Sequence, residues 1–536
     1  MADLIPWIAF AAILVAWLAL VIFIKRRKVL ADKGVSVYGP FLMWRTEGGK
    51  RFIERISKPA RFWKAYALAA KVICLSVAVF IMALLIWEAT IVSRVPDSSA
   101  PTPEMMLGIP GINPIIPVVF GIIGLIVAIV VHEFAHGVLT RVGRMNIKSL
   151  GLFLFIVPLG AFVEPDEKQI STSDRKRRSD IYAVGPATNI ILAVLCVMLF
   201  CGAFMSSVEP VRANPVITAV GDNSPAYYAG IGYGSQLVDI EGTPIQSLDD
   251  FDNILVDPGT YATVSYYLSG ELKSSEVTAG LTLVDVSEGL PAEEAGLEAG
   301  MIVAELNGTV IRNQADLQAA LDLTHPDQVV SIRALVYDEG AKGYVVSSVT
   351  SITLESKREY YLRQDPSLVN ESFKDIGFMG VNSAYMGFSM SSPESIVQRL
   401  ASPLAGVNDP ISFFGSSLLF IALPFQGLAP VESPLTDLFV PTGLMADVPA
   451  DLFWFLANCL YWIFWINLMV GMTNVLPAVP LDGGYLFRDT MEWLIEKFKK
   501  NASEKERAHI VSTVTYVLAL FVFMLIIWQL IGPRLL

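Results

Sequence analysis

Histidine, cysteine and charged residues are all scarce in this chain of 536 residues. Charged side chains make up 17% of it and hydrophobic ones 53%. So small a charged fraction excludes an ordinary soluble protein and indicates a polytopic membrane protein with room for one soluble insert. There are only four histidines. The four cysteines all fall in apolar runs, which excludes a disulfide framework and a cysteine metal site: Cys74, Cys196, Cys201 and Cys459.

Charge is distributed unevenly along the chain. From Glu209 to Arg399 there are 27 Asp and Glu against 10 Lys and Arg, a net charge of −17, whereas the whole chain carries −12. The remainder is therefore about +5, from −12 minus −17. Because basic segments stay on the cytoplasmic side of a membrane, we expect the acidic segment outside the cell and the basic segments inside.

Six apolar runs are long enough to be membrane spans: Leu4 to Ile24, Ala65 to Val92, Pro114 to before Arg141, Ile181 to about Ser207, Leu452 to Met472, and His509 to Ile531. A capping box from Ser503 to Glu506 precedes the last of them. The basic residues 25–28 follow the first span, which places the N-terminus outside and residues 29–64 in the cytoplasm. The apolar run at 410–429 is interrupted by Pro424 and Gly427, so we expect it to be interfacial or re-entrant.

The stretch Val130 to Gly137 has the sequence VVHEFAHG, with two of the four histidines. On a helix, His132 and His136 share one face and can both reach one Zn²⁺ ion, while Glu133 lies beside them as a base for a metal-bound water. The alternative is a pair of core histidines, but ionisable groups deep in a membrane helix cost about 2.5–3.5 kcal/mol each on insertion scales. The spacing therefore predicts a zinc site.

Two histidines leave a tetrahedral site short of a protein ligand. A carboxylate, His or Cys is needed where the hydrophobic pattern meets polar residues, and His325 and His509 are poor candidates for it. Asp482 ends the segment NVLPAVPLD from Asn474 and precedes two glycines. Prolines break the helix there and glycines let the backbone bend, so a carboxylate can face inward. An ordinary turn aspartate is the alternative, and the shared depth with His136 near the cytoplasmic face favours the metal ligand.

Two further features accompany the metal motif. Residues 149–163 are too short to span and are broken by Gly and Pro, which predicts a β-hairpin against the core. The span from Ile181 opens with GPATN at 185–189, so Asn189 holds an amide at membrane depth in the first turns of its helix. Its amide is either part of the site or packs helices together.

The acidic insert contains a repeat with a period of 66 residues. Ser224-Pro225-Ala226 and the glycines after it recur from Leu290-Pro291-Ala292 onward. Each copy continues with a helical pattern between short β-rich runs, which predicts two small α+β modules. The repeated pattern resembles PDZ domains, modules that bind extended peptides by adding them as a strand.

Together these motifs resemble the site-2 protease family of intramembrane zinc metalloproteases, in an archaeal-type member with tandem PDZ domains. The matching pieces appear in family order: HEFAH at 132–136, IVPLGAFV at 156–163, GPATN at 185–189 and NVLPAVPLDGG at 474–484. The resemblance implies that His132, His136 and Asp482 bind one zinc ion and that Glu133 activates water. It also implies that Asn189 and Asn474 bind the substrate backbone and that the PDZ modules limit access.

The expected fold is a polytopic α-helical membrane protein with a membrane-associated β-hairpin and an inserted tandem of α+β PDZ-like domains. The expected regions are 1–113 with two spans and a basic cytoplasmic loop, 114–208 with the catalytic core spans, 209–283 and 284–385 as the first and second PDZ-like domains, 386–451 as a linker with the interfacial or re-entrant segment, and 452–536 with the LDGG span and the C-terminal span.

The expected function is zinc-dependent cleavage of transmembrane segments in other membrane proteins, that is, regulated intramembrane proteolysis. Expected partners are the lipid bilayer and membrane proteins with a single transmembrane span, and no nucleic acid. The expected location is the cell membrane, with the PDZ-like domains extracytoplasmic and the active site near the cytoplasmic face. The alternatives are a catalytically silent membrane PDZ scaffold, a membrane zincin with a glutamate as third ligand, and a transporter with ionisable residues at membrane depth.

Overall fold

The computed structural model describes residues 5–27, 34–46, 48–92, 101–155, 157–254, 256–347, 349–364, 369–373, 375–499 and 503–534. Leu4, residues 28–33 and Ile156, which belong to predicted features, lie outside these ranges. The chain divides into two compact units. One comprises residues 1–203, 421–430 and 455–536, and the other residues 204–420 and 431–454. Each is described separately below.

The α-helices, in chain order, are α1 Ile5–Arg27, α2 Lys50–Ile56, α3 Ala60–Ile91, α4 Val118–Val142, α5 Glu167–Ser171, α6 Arg175–Leu199, α7 Pro225–Tyr228, α8 Leu248–Asp252, α9 Pro291–Glu294, α10 Gln314–Asp322, α11 Lys357–Gln364, α12 Pro393–Ala401, α13 Pro410–Ile421, α14 Ala450–Asn474, α15 Asp482–Phe498 and α16 Glu504–Ile531.

The strands, in chain order, are β1 Val35–Tyr38, β2 Phe41–Thr46, β3 Ile147–Phe155, β4 Val157–Pro165, β5 Val208–Pro210, β6 Val216–Val220, β7 Gln236–Ile240, β8 Thr243–Pro244, β9 Tyr261–Leu268, β10 Glu271–Thr278, β11 Leu281–Val286, β12 Ile302–Leu306, β13 Thr309–Val310, β14 Val329–Asp338, β15 Gly343–Val346, β16 Thr350–Thr353, β17 Glu355–Ser356, β18 Gly377–Phe378, β19 Val381–Tyr385, β20 Phe388–Ser391 and β21 Phe439–Pro441.

Five helical segments among the described residues are long and apolar enough to cross a membrane: Ala60–Ile91, Val118–Val142, Arg175–Ser207, Ala450–Asn474 and Glu504–Arg534. They confirm the second to sixth predicted spans as helices. A helix, α1, also occupies the first predicted span, and its crossing of the membrane stays a prediction. Helix α13 has 12 residues, or about 18 Å at 1.5 Å per residue, which is shorter than a bilayer core of about 30 Å. The interfacial or re-entrant character of residues 410–429 stays a prediction.

Two helix starts show how capping decides where a membrane helix begins. The predicted capping box is present, because Ser503 and Glu506 bond to each other's backbone at the start of α16. The helix that carries the fourth predicted span begins at Arg175, six residues before Ile181. Asp174 accepts a hydrogen bond from the Arg177 backbone, and the basic residues after it form the first turns of α6. Asn189 therefore lies in the middle of α6 and not in its first turns.

The predicted hairpin at 149–163 is confirmed as β3 and β4, which pair antiparallel. It is half of a four-stranded sheet with the order β1-β2-β3-β4. The other two strands, β1 and β2, lie within residues 29–64, which were expected to be a basic cytoplasmic loop. Phe41 of β2 packs against β3, since its ring centroid lies 5.6 Å from that of Phe153 and 5.4 Å from that of Phe155. Strand β3 therefore has a partner on both sides, and β4 forms the edge of this sheet.

In the first unit, the backbone of α14 lies close to the backbones of α4 and α6. A Cβ atom at Gly124 of α4 would lie 2.8 Å from the Trp462 carbonyl oxygen of α14. At Gly471 of α14, a Cβ atom would lie 3.2 Å from the Pro186 carbonyl oxygen of α6. Small residues at helix contacts permit such approach in membranes. Helices α4, α6 and α14 thus form the packed centre that carries the candidate site.

The described part of the second unit contains two large antiparallel sheets, each on its own apolar core, and two two-stranded sheets, β17-β18 and β5-β21. The first has the order β10-β9-β7-β6-β20 with β8 on β7, and the second has the order β15-β14-β12-β11-β19 with β13 on β12 and β16 on β14. The predicted period recurs in the element starts: Pro225 and Pro291, Gln236 and Ile302, and Thr243 and Thr309 are each 66 residues apart.

The second sheet is inserted into the first along the chain. The chain leaves the first sheet after β10, completes the second sheet from β11 to β19, and returns to pair β20 with β6. Val216 at the start of β6 lies opposite Ser391 at the end of β20, so the first sheet begins and ends at neighbouring positions. The resemblance of these sheets to PDZ domains, and the boundaries 209–283 and 284–385, stay predictions.

Candidate metal centre

Helix α4 places the three residues of the HExxH motif. His132 and His136 are one turn apart, and their ring centroids are 4.7 Å apart at an interplanar angle of 75°. Their Nε2 atoms converge to 3.1 Å. Both rings therefore point the same nitrogen toward one place beside the helix.

Asp482 reaches the same place from the start of α15. Its Oδ2 atom lies 3.0 Å from His132 Nε2 and 3.2 Å from His136 Nε2. The two following glycines permit this approach. A Cβ atom at Gly484 would lie 2.5 Å from the carbonyl carbon of Ala478, and one at Gly483 would clash with the backbone of Val475. Residues 483–484 therefore pack directly against the backbone of residues 475–478, which precede Asp482.

The three ligand atoms form a triangle with edges of 3.0, 3.1 and 3.2 Å. Ligands at 2.0–2.1 Å from a tetrahedral zinc ion are about 3.3 Å apart, so the triangle is close to one face of such a tetrahedron. Two imidazoles and a carboxylate are also a donor set that zinc accepts, with a fourth position left open. Among the described residues, these three are the group identified as able to hold a metal ion.

Gly185 closes one side of the centre. A Cβ atom there would lie 2.8 Å from His132 Nε2 and would collide with His136 Nε2. The backbone of α6 at this point therefore lies directly against both metal-facing nitrogens, and only glycine leaves them free. The sequence motif GPATN contains this glycine, but its packing role could not be derived from spacing alone.

The outer nitrogens of both rings are held by α6. His136 Nδ1 lies 2.8 Å from the Ile181 carbonyl oxygen, so the ring N–H donates to it and Nε2 is left free as an acceptor. His132 Nδ1 lies 3.4 Å from the side-chain amide of Asn189, which is fully buried. A backbone carbonyl carries no sequence signal, and Ile181 could not have been found from the sequence.

Glu133 lies on α4 between the two histidines and is not one of the three converging residues. Its Oε2 atom accepts a hydrogen bond of 3.0 Å from the backbone N–H of Val163 in β4. The carboxylate therefore links the helix that bears the histidines to the edge strand of the sheet.

Asn474, the other predicted substrate-binding residue, is the last residue of α14. Its amide nitrogen donates to the Val470 carbonyl one turn earlier at 3.0 Å. Within the described part of the chain, no hydrogen bond joins it to the histidines or to Asp482. The geometry thus brings together His132, His136, Asp482 and Asn189, whereas Glu133 contacts β4 and Asn474 is held by its own helix.

A buried ion pair ties α15 to α6 behind the centre. Asp489 lies seven residues after Asp482 and is 1% exposed. Arg178 donates to its carboxylate at 3.0 Å and to Glu492 at 2.8 Å. Because Arg178 is only three residues before Ile181, this contact fixes the helix that supports His136 against the helix that begins at Asp482.

Comparison with known proteins agrees with this geometry. A family model described as peptidase family M50 matches residues 120–522. A putative zinc metalloprotease of Neisseria meningitidis is 23% identical over 70% of this chain and 90% of its own length. The regulator of sigma E protease of Haemophilus influenzae is 23% identical over 69% of this chain and 89% of its own length.

Another match is an uncharacterised protein of Methanocaldococcus jannaschii, 28% identical over 44% of this chain. This match spans 61% of that relative's length, and a 30% identical match spans 36% of a putative zinc metalloprotease of Agrobacterium fabrum. The family model covers the histidine motif, α6, the insert and Asp482. The chain therefore belongs to peptidase family M50.

Proposed function

We propose that this protein is an intramembrane zinc endopeptidase that cuts transmembrane segments of other membrane proteins, in regulated intramembrane proteolysis. The observation that carries the proposal is the triangle of His132, His136 and Asp482, which lies against a helix apolar enough to cross a membrane. The similarity to a regulator of sigma E protease supports the regulatory role.

In this proposal each residue has a separate task. His132, His136 and Asp482 bind the zinc ion. A zinc ion held there would supply Lewis-acid chemistry, which activates water and polarises a carbonyl group. Glu133 would take a proton from the attacking water and deliver it to the leaving amine.

The substrate must present an extended peptide bond, because the amide groups of an intact helix are shielded by their own hydrogen bonds. Strand β3 is already paired with β2 and β4, which leaves β4 as the strand that can accept a partner beside Glu133. We infer that a locally unwound substrate pairs with the edge of β4. Gly or Pro in the substrate lowers the cost of unwinding.

Asn189 is better placed to orient His132 than to bind substrate. A zinc ligand at Nε2 needs its proton on Nδ1, and that N–H needs an acceptor. The amide oxygen of Asn189 is buried without a hydrogen-bond partner in the described structure, while the amide nitrogen faces Nδ1. Because the oxygen and nitrogen of an amide exchange places on rotation, we infer that the oxygen accepts the proton of His132.

Zinc affinity tests these roles. We expect His132→Ala to lose stoichiometric zinc and Asn189→Leu to weaken binding about 10–100-fold. Asn189→Asp should keep most of the affinity, since a carboxylate oxygen still accepts from Nδ1. The measurement is competition against a chromophoric chelator with the purified full-length protein.

His325→Ala is the matched control, because His325 is exposed in the second unit and outside the centre. Zinc content of His132→Ala equal to wild type would remove His132 from the ligand set. Zinc affinity of Asn189→Leu equal to wild type would exclude the orienting role of Asn189.

We also propose that the inserted modules face outward and that the metal centre lies near the cytoplasmic face. The net charge of −17 in the insert supports this orientation. In a variant without the four native cysteines, an impermeant thiol reagent should label Ser274→Cys in intact cells and should not label Lys505→Cys. Both positions are exposed on their own elements. The reverse labelling pattern would overturn the orientation.

A further inference from the structure

An apolar cavity of about 420 Å³ opens between α2, α3, α4 and α6. Aromatic side chains form much of its wall, among them Phe52 of α2, Phe62, Trp63 and Tyr66 of α3, and Phe134 of α4. Phe52 and Phe62 are 58% and 59% exposed, so the cavity has an open side. The histidines, Asp482 and Glu133 do not line it.

The polar groups in this wall already have partners. The Trp63 indole N–H donates to the Ile56 carbonyl at 2.8 Å, and the Tyr66 hydroxyl lies 2.8 Å from the hydroxyl of Thr188. The indole N–H of Trp63 and the hydroxyls of Tyr66 and Thr188 therefore need no polar ligand. The cavity fits an apolar chain.

Positive charge surrounds the aromatic residues in sequence and on the same helices. Five exposed cations lie on α2, on the first turns of α3, or between these helices: Arg51, Arg55, Lys58, Arg61 and Lys64. Glu54 is the only acidic residue from position 50 to 71, and it pairs with Arg141 at 2.8 Å. In the described structure the five cations have no acidic partner, so this segment carries uncompensated positive charge.

An apolar cavity beside a cluster of cations is complementary to one kind of membrane molecule. Basic residues at the end of membrane helices attract anionic lipid headgroups, and the hydrocarbon tail of such a lipid fits an apolar wall. Phe134 directly follows Glu133, and Thr188, also in the wall, directly precedes Asn189. An occupant of the cavity would thus contact the same helices that carry the centre.

We propose that this cavity binds one acyl chain of an anionic phospholipid, whose phosphate is held by the cation cluster of Arg51, Arg55, Lys58, Arg61 and Lys64. The site is separate from the metal centre and does not depend on whether the protein is a protease. A transmembrane segment of a substrate is the competing occupant.

Trp63 makes the proposal measurable, since bromine on an acyl chain quenches an indole in contact with it. The full-length protein is placed in nanodiscs of zwitterionic phospholipid with a rising fraction of a brominated anionic phospholipid. The Trp63 contribution is the difference between wild type and Trp63→Phe. We expect this contribution to saturate at a low fraction of anionic lipid.

Charge removal supplies the control. Lys58→Gln/Arg61→Gln/Lys64→Gln should raise the half-saturating fraction by more than about tenfold, because each cation contributes to the attraction. Lys25→Gln/Arg26→Gln/Arg27→Gln removes the same number of exposed charges from the end of α1 and should leave it unchanged. Native mass spectrometry of retained anionic lipid gives the same comparison without any change to Trp63.

Three results would overturn the proposal. One is equal quenching of Trp63 by brominated anionic and brominated zwitterionic lipid, which is the behaviour of unselective boundary lipid. Another is that Lys58→Gln/Arg61→Gln/Lys64→Gln has the same half-saturating fraction of anionic lipid as wild type and retains the same number of anionic lipids. The third is relief of quenching by an excess of a single-span peptide, which would assign the cavity to the substrate.

Discussion

Replacing Glu133 by glutamine is expected to leave zinc in the protein and to remove cleavage. Glu133 lies outside the triangle of ligand atoms, so the zinc content should match that of wild type. Glutamine keeps an oxygen that can accept the Val163 N–H, which preserves the contact between α4 and β4. It cannot take a proton from water, and loss of a general base lowers the rate by about 10²–10⁴-fold.

Both quantities are measured on the same purified sample, zinc by elemental analysis and cleavage with a labelled single-span substrate. Glu164→Gln is the control, because Glu164 is the next residue on β4 and binds Ser149 and Arg45 instead of α4. Cleavage by Glu133→Gln at the wild-type rate would exclude the proposed base. Loss of zinc with cleavage would make Glu133 a ligand.

Removal of the inserted modules is expected to change which substrates are cut. Chain connectivity ties the insert to α6, which carries Asn189, and to α14, which ends at Asn474 shortly before Asp482. We propose that the modules exclude substrates that still carry a large outside domain. Because Val216 pairs with Ser391, a short flexible linker can replace residues 216–391 with little strain on the rest.

We expect the shortened protein to cut substrates with a bulky folded domain and substrates with a short tail at roughly equal rates. The full-length protein should strongly prefer the short tail. An intermediate variant is available, because Leu281 pairs with Tyr385 and residues 282–384 can be replaced alone. The measurement is the ratio of cleavage rates for one span fused to either tail.

If the shortened protein still prefers the short tail as strongly as the full-length protein does, the modules do not exclude substrates by size. Slower cleavage of every substrate would instead support a docking role, in which the modules hold the extended peptide by strand addition.

The chemistry-bearing residues were accessible from the sequence because each sits in a pattern with a local cause. The spacing of His132 and His136 follows from helical periodicity, and Asp482 is marked by prolines before it and glycines after it. The hairpin at 149–163 and the start of α16 likewise follow from turn residues and from a capping box. These features needed no knowledge of distant contacts.

The supporting contacts were not accessible, because they depend on backbone atoms or on distant segments. The Ile181 carbonyl has no sequence signature, and Gly185 shows its role only when both imidazoles are placed beside it. The basic segment at 29–64 did contain a usable signal, since β-branched residues alternate in Val35-Ser36-Val37 before the turn at Gly39. The return of β20 to the first sheet is a pairing between strands far apart in sequence, which the repeat alone did not indicate.

The position of the cut tests intramembrane proteolysis by this protein most directly. A purified single-span substrate and the full-length protein are combined in liposomes, and both product ends are identified by mass spectrometry. We expect one cut inside the transmembrane segment, which disappears on zinc removal, returns on zinc addition and is absent with Glu133→Gln. A cut outside the membrane segment, or cleavage that persists without zinc, would contradict the proposed function.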